Sequence, residues 1–126
     1  MKAETAKFLN KAEKLLSRAP EMLEKGWLDE AGRACYLAGY NAARGYVFEM
    51  TDQIVKTHSG VQTLFAQLTK DNPAVDLDLK RFLGRSFSLK AIADYETGEE
   101  KLTVEEIETT IVTAQRFIKN IFAMIG

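Results

Sequence analysis

The chain contains a single histidine, His58, in the segment Lys56-Thr57-His58-Ser59-Gly60, which joins two stretches of helical pattern. Near neutral pH an imidazole can act as a general acid or base when a second polar group lies within reach. A histidine at the start of a helix is also commonly a capping or packing residue, and Thr57 and Ser59 are equally good candidates for the helix cap. His58 is therefore the one candidate catalytic residue, with capping and packing as the alternatives.

Asn41 and Arg44 are polar residues in a segment that is otherwise apolar nearly all round. Their spacing places them on the same face of a helix. Because an unsatisfied buried polar group costs about 1–3 kcal/mol, and more if it is charged, each must find a partner or line a cleft. The simpler interpretation pairs a buried Arg44 with a carboxylate of a neighbouring helix. The functional interpretation is an arginine that binds phosphate, whose geometry a guanidinium matches.

Charged residues also recur at helical spacing later in the chain. Lys90 and Asp94 are four residues apart, and an ion pair on a solvated helix surface explains them at a few tenths of a kcal/mol. Arg81 and Arg85 have the same spacing in the same predicted helix. None of these pairs by itself indicates a reaction.

Other reactive side chains favour no redox, metal or cofactor chemistry. Cys35 is the only cysteine, so it forms neither an internal disulfide nor a structural zinc site. We expect it to be a small core residue, and Tyr36 and Tyr40 to be core aromatics. No glycine-rich loop after a strand, carboxylate cluster with metal-ligand spacing or nucleophile–base motif is present. The sequence thus predicts no cofactor and no metal.

Composition narrows the class of protein. The 126 residues, 46% hydrophobic and 28% charged, predict one soluble globular domain over residues 1–126. No apolar run reaches the roughly 20 residues that cross a bilayer, so we expect no membrane contact. The charged N-terminal residues are not followed by the apolar region of a signal peptide, so we expect a cytoplasmic protein. With a net charge of −1, nucleic-acid binding would need a local basic patch.

Apolar residues recur at helical spacing in five segments. The first four cover about residues 4–24, 28–50, 61–68 and 75–93, and the fifth opens with a capping box at Thr103-Val104-Glu105-Glu106. The second is apolar nearly all round, as is typical of a central helix. Pro20 predicts a kink or a restart of the first helix, Gly26 caps it, and Tyr95-Glu96-Thr97-Gly98 ends the fourth. The pattern predicts an all-α, up-and-down four-helix bundle with an additional short helix.

Three segments, in order, carry a resemblance to a known family. They are Gly32-Arg33-Ala34-Cys35-Tyr36-Leu37-Ala38-Gly39-Tyr40-Asn41-Ala42-Ala43-Arg44, then Lys56-Thr57-His58-Ser59-Gly60-Val61, then Ala93-Asp94-Tyr95. Over almost its whole length the chain resembles the HEPN domain family, named for higher eukaryotes and prokaryotes nucleotide-binding. It is most similar to a small, stand-alone prokaryotic branch with the Lys-Thr-His-Ser-Gly and Ala-Asp-Tyr motifs.

The resemblance implies a helical bundle, commonly a homodimer, that binds nucleotides or RNA. It also implies a possible minimal nucleotidyltransferase as partner, often in a toxin–antitoxin pair. The residues that would then form the nucleotide or RNA site are Arg44, His58, Lys90, Asp94, Tyr95, Asn41 and Arg85.

The chain departs from the pattern of active HEPN ribonucleases. Those enzymes carry Arg-x4–6-His, with the arginine and histidine of two protomers facing each other across the dimer cleft. No arginine lies four to six residues before His58, and the region where the motif is expected has Lys90 and Asp94-Tyr95. We therefore expect a binding protein rather than a metal-independent ribonuclease. The alternatives are a divergent ribonuclease toxin, in which His58 acts with Arg44 or Arg85, and a structural adaptor that only oligomerises.

Overall fold

A computed structural model of the chain describes residues 1–94 and 102–126, which form five α-helices and no strand. The helices are α1 (Ala3–Glu24), α2 (Leu28–Thr51), α3 (His58–Thr69), α4 (Leu77–Asp94) and α5 (Val104–Ile125). The predicted all-α fold of four long helices and one short helix is confirmed. The predicted end of the fourth helix, at Tyr95-Glu96-Thr97-Gly98, lies outside the described residues. None of the helices in the described part of the chain is long and apolar enough to cross a membrane.

The centre of the bundle is α2, which packs against each of the other four helices. In addition, α1 packs against α5, α4 against α5, and α3 against α4. Taken in the order α1, α2, α4 and α5, each long helix contacts the next, and α5 closes onto α1. This ring follows the chain order, as in an up-and-down bundle, and α3 lies against α2 and α4.

Small residues on α2 allow α1 and α4 to approach its backbone closely. A Cβ atom at Gly39 would overlap the ring of Phe82 in α4, and one at Gly45 would lie 3.2 Å from Cβ of Phe8 in α1. Ala42 and Ala43, between them in the sequence, are completely buried. Side chains larger than these would push the surrounding helices away from α2.

In the last turns of α1 the structure agrees with the predicted cap at Gly26 and differs from the predicted restart at Pro20. Gly26 has φ of +78°, its N–H donates to the carbonyl of Leu23, and the N–H of Trp27 donates to Met22. This pair of bonds is the Schellman motif. The helix continues through Pro20, so the predicted alternative of a restart there is wrong. Residues on both sides of the proline hold the helix in the core, namely Ala12 and Ala19 before it and Met22 and Leu23 after it.

Side-chain caps determine where α4 and α5 begin. Oδ1 of Asp76 accepts the N–H of Leu79 at 3.0 Å, so α4 begins two residues later than the apolar pattern predicted. At the start of α5, Thr103 and Glu106 form the predicted capping box. The apolar stripe that periodicity predicted for α5 is buried at Ile107, Ile111, Ala114, Ile118 and Ile121 and partly buried at Phe122 and Ile125.

Candidate functional site

Four side chains form one row along α2, and we call them the α2 row: Arg33, Tyr36, Tyr40 and Arg44. Their three- and four-residue spacing places them on one helix face. The two tyrosines are buried, whereas the arginines at the two ends of the row are partly exposed. The two ends of the row are therefore accessible to solvent, and its middle is buried in the bundle.

His58 is the first residue of α3 and lies against this row. Its ring centroid is 4.5 Å from that of Tyr40 and 5.5 Å from that of Tyr36. Phe87 of α4 lies 5.7 Å away. Aromatic side chains from two helices thus hold the half-buried imidazole.

The cap of α3 is Thr57, not His58 or Ser59. Oγ1 of Thr57 accepts the N–H of Gly60 at 3.1 Å. A Cβ atom at Gly60 would lie 2.6 Å from that oxygen and 2.8 Å from Cγ1 of Val55, so only glycine fits at this position without a shift of its neighbours. Because Thr57 supplies the cap, the imidazole is available for contacts with α2.

The protonation of His58 follows from its surroundings. The hydroxyl of Tyr36 lies 2.7 Å from Nδ1 of His58. Burial raises the pKa of Tyr36 to about 12, although the side chain of Gln62 opposes part of that rise, so at neutral pH the phenol keeps its proton and is able to donate a hydrogen bond to Nδ1. Burial, followed by the positive charges of Lys90 and Arg44, lowers the pKa of His58. In the tautomer in which Nδ1 accepts from Tyr36, the neutral ring carries its proton on Nε2 and offers an N–H donor there.

Arg44 lies one turn after Tyr40 on α2 and is partly exposed. Its Nε donates to the carbonyl of Val55 at 3.1 Å, and its guanidinium carbon lies 4.6 Å from the ring centroid of Phe8 and 5.4 Å from that of Tyr40. The carboxylate partner expected for a buried Arg44 is not found among the ion pairs of the described residues. A backbone carbonyl and two aromatic faces support this cation instead.

At the opposite end of the site, Lys90 and Asp94 form the ion pair that their spacing predicted. The other oxygen of Asp94 accepts from Arg33, at 2.7 Å from Nη2 and 3.1 Å from Nε. Hydrogen bonds from Lys90 and then from Arg33 lower the pKa of Asp94. The side chain of Lys90 is 22% exposed, and those of Arg33 and Asp94 are 38% and 37% exposed. Two cations share one carboxylate here, which leaves a net positive charge.

The structure does not bring the remaining sequence candidates to this place. Asn41 is 3% exposed and its Nδ2 donates to the carbonyl of Leu37, so it lies in the interior. Oδ1 of Asn41 has no hydrogen-bond partner among the described residues. Arg85 is exposed, lies 3.8 Å from Asp78, and is about 200° around α4 from Phe87. Tyr95 lies outside the described residues.

Sequence reasoning missed the aromatic part of the site. It expected Tyr36 and Tyr40 only as core aromatics, and both are indeed buried, yet one bonds His58 and the other stacks on it. It did not single out Phe87 or Arg33. The signal that could have found Arg33 is the regular spacing of the α2 row.

We call this set of residues the His58 site: Tyr36, Tyr40, Arg44, His58, Phe87 and Lys90. Its chemistry is that of cations, aromatic faces and an N–H donor. Such groups suit a phosphate and a nucleobase, because guanidinium and ammonium groups bind phosphate and aromatic rings stack on bases. Within the described ranges, no group of three or more His, Cys, Asp or Glu side chains could hold a metal ion.

The family model for the HEPN domain matches residues 5–122 of this chain. Comparison with curated proteins gave no match. The matched range contains every residue of the His58 site. It also covers the five helices, apart from the beginning of α1 and the end of α5. The chain therefore belongs to the HEPN domain family.

Proposed function

We propose that this HEPN protein binds a nucleotide, either free or within an RNA, at the His58 site. The observation that carries the proposal is a neutral histidine packed among aromatic rings, with Arg44 and Lys90 close enough for both charges to lower its pKa. This arrangement combines a local positive potential with an uncharged hydrogen-bond donor. An anion that carries a ring system matches both features.

The phosphate of the ligand would be attracted to Arg44 and Lys90. Neither cation is fully neutralised: Arg44 has no carboxylate partner among the described residues, and Lys90 shares Asp94 with Arg33. Partial burial strengthens their attraction for an anion, because the local dielectric is lower than that of water. A bound phosphate would also raise the pKa of His58, which these two charges lower in the free protein.

The base would stack on the exposed aromatic surface of the site. Phe87 is 37% exposed, and the ring of His58 is half-buried beside it. Stacking of a base on an aromatic side chain contributes about 1–3 kcal/mol and depends little on which base it is. We therefore expect weak discrimination between bases at this position.

We assign the chain to the small, stand-alone prokaryotic HEPN branch, as a homodimer whose partner is a minimal nucleotidyltransferase in a toxin–antitoxin-type pair. Support comes from the three motifs that carry the resemblance, because each contributes to one region of the molecule. The first motif supplies Tyr36, Tyr40 and Arg44, the second supplies His58, and the third supplies Asp94.

The alternatives have less support from the geometry. A ribonuclease needs a free base, whereas Nδ1 of His58 is engaged by the hydroxyl of Tyr36 at 2.7 Å. Arg85, one proposed catalytic partner, lies on another face of α4. A purely structural adaptor would have its motif polar groups buried and mutually bonded, but Arg44 and Asp94 are partly exposed.

The test is a titration of the full chain with nucleoside monophosphates, nucleoside triphosphates and short RNAs. Calorimetry and the proton NMR signal of His58 measure the binding. Binding should weaken by about tenfold or more, equivalent to 1.4 kcal/mol, in Arg44→Gln and Lys90→Gln. Lys119→Gln, on α5 and exposed, is the matched control. Wild-type protein that binds none of these ligands, or site variants that bind as tightly as the control, would overturn the proposal.

The partner is tested separately by co-expression with a nucleotidyltransferase encoded beside this gene. Co-purification of the two proteins supports the pairing, and its absence removes the partner from the proposal without affecting nucleotide binding. Growth arrest with RNA decay that His58→Ala relieves would instead favour the ribonuclease alternative.

A further inference from the structure

We propose that the ligand of the His58 site is a single-stranded oligonucleotide whose backbone continues along the groove between α3 and α4 towards Lys80 and Arg81. This inference rests on the proposed function, because it names the class of ligand and extends the same site. It adds a second binding region that the three sequence motifs do not contain.

The groove between α3 and α4 encloses about 430 Å3. Gln62 and Ala66 line it from α3, and Lys80, Arg81, Gly84 and, at its edge away from Phe87, Arg85 line it from α4. A Cβ atom at Gly84 would meet no atom within 4 Å, so the α4 side of the groove is open at this residue. The groove has the space for a ligand that is longer than one nucleotide.

The groove is continuous with the His58 site. On α3, His58, Gln62 and Ala66 follow one another at four-residue spacing, which places them in one row. Gln62 links the two regions, because it faces the hydroxyl of Tyr36 in the His58 site and lines the groove. The α3 row therefore leads from the imidazole directly into the groove.

The facing row on α4 runs in the opposite direction. Phe87 packs against His58 at one end, Gly84 lies one turn earlier and Lys80 one turn before that. Seven residues of helix separate Phe87 from Lys80, a rise of about 10 Å. A chain of nucleotides spans that distance, whereas the single phosphate of a nucleoside monophosphate stacked at His58 does not.

The distribution of charge indicates that the ligand is a polyanion and that it binds on the α3 side of α4. Neither Lys80 nor Arg81 takes part in an ion pair among the described residues, and Nζ of Lys80 donates only to the carbonyl of Lys70, at 3.2 Å. The groove on the other side of α4, towards α5, is lined by two carboxylates, Glu105 and Glu106, and by one cation, Arg85. A polyanion is therefore attracted to the α3 side and repelled from the α5 side.

An oligonucleotide fits this surface better than an acidic peptide does. Non-specific single-strand sites combine a basic track for the backbone with aromatic side chains on which bases stack. Here the basic track is Lys80 and Arg81, and the stacking surface is His58 and Phe87. A peptide would use the first feature and leave the second without a partner.

The test measures how affinity depends on ligand length and on charge in the groove. Fluorescently labelled oligoadenylates and oligouridylates of one, three, six and nine nucleotides, as RNA and as DNA, are titrated with the full chain at several salt concentrations. We expect affinity to rise with length and then to level off. Lys80→Gln combined with Arg81→Gln should weaken binding of the six-nucleotide ligand by about tenfold or more, and lower the salt slope by about 0.7 for each charge removed.

The matched control removes two charges elsewhere. Lys11→Gln combined with Lys14→Gln lies on exposed positions of α1, away from the groove, and should bind the oligonucleotides like the wild type. Gly84→Gln and Gly84→Glu form a second matched pair, because both fill the groove with nearly the same shape and only one adds a negative charge. Both should weaken oligonucleotide binding, and Gly84→Glu should weaken it more. Replacement of a helical glycine favours the helix, so this loss does not arise from unfolding.

The outcomes separate this inference from the function on which it rests. If mononucleotide binding requires Arg44 and Lys90 but affinity does not grow with length, the groove proposal is overturned and the proposed function stands. The same holds if the Lys80 and Arg81 double variant binds the six-nucleotide ligand like the wild type, or if polyglutamate competes as well as RNA. If no nucleotide of any length binds, both fall together. RNA that binds more tightly than DNA of equal length supports the groove and identifies the sugar.

Discussion

The phenolic hydroxyl of Tyr36 lies 2.7 Å from Nδ1 of His58, and this contact joins the centre of the bundle to its candidate binding surface. Tyr36 belongs to the central helix and is completely buried, whereas His58 begins α3 and is half-buried. The position of the imidazole and the location of its proton therefore depend on the packing of α2.

Tyr36→Phe should raise the pKa of His58. The substitution keeps the packing ring but removes the donor that stabilises the neutral imidazole. Because His58 is the only histidine, one proton NMR signal reports its titration directly. We expect a wild-type midpoint below the ordinary value of 6.5 and an upward shift in the variant. Lys119→Gln serves as the control, and a wild-type midpoint at or above 6.5 would contradict this account.

His58 should make the fold less stable as the pH falls below about 6.5. Its pKa is lower in the folded protein than in the unfolded chain, so in that range the unfolded chain binds more protons and acid favours it. The carboxyl groups of Asp76, Asp94 and Glu49 also have lowered pKa values, but their contributions are lost mainly at lower pH, around and below their ordinary values of 3.8 and 4.5.

Urea unfolding at pH 7.5, 6.5 and 5.5 measures this dependence. We expect His58→Gln to show a smaller loss of unfolding free energy over this interval than the wild type. Equal losses in the two proteins would mean that the folded state does not lower the pKa of His58.

Two glycines should respond in opposite directions to alanine. At Gly39 the added Cβ overlaps the ring of Phe82, so Gly39→Ala should destabilise the protein by about 1–3 kcal/mol. At Gly84 the added Cβ meets nothing, so Gly84→Ala should stabilise it by about 0.5–1 kcal/mol through helix propensity. Urea unfolding of the two variants measures both effects. A stabilising Gly39→Ala would disprove the close packing of α2 against α4.

Cys35 should resist alkylation in the native protein. The side chain is completely buried, and burial raises the pKa of its thiol to about 12, so it provides almost no thiolate at pH 8. Iodoacetamide should therefore modify it slowly in buffer and rapidly in urea, as followed by intact mass. Modification in buffer at the rate found in urea would show that α2 is readily exposed.

The helices and their ends could be predicted because the forces that determine them are local. Apolar periodicity located the five segments, and Thr103 and Gly26 cap helices through bonds to residues only a few positions away. The starts of α3 and α4 were the exceptions. The third helix begins at His58, three residues before the first residue of its apolar pattern, and Asp76 rather than the first apolar residue sets the start of α4. The central position of α2 in the bundle could also be predicted, because this helix carries small and apolar residues on nearly all of its faces.

The candidate site could be predicted only in part. Residue types, spacing and the family resemblance selected Arg44, His58 and Lys90, which the structure brings together around Tyr40 and Phe87. Burial of a tyrosine does not reveal where its hydroxyl points, so neither the bond from Tyr36 nor the stacking of Tyr40 could be inferred.

By itself the sequence determined which residues form helices, which faces of those helices are buried and which reactive side chains are available. Only the tertiary structure decided that His58 meets Tyr36 and that Asn41 and Arg85 lie elsewhere. The physical reason is distance. Helix periodicity and capping act over a few residues of chain, whereas hydrogen bonds and most of the shift in a pKa require groups from different helices to come within a few ångströms.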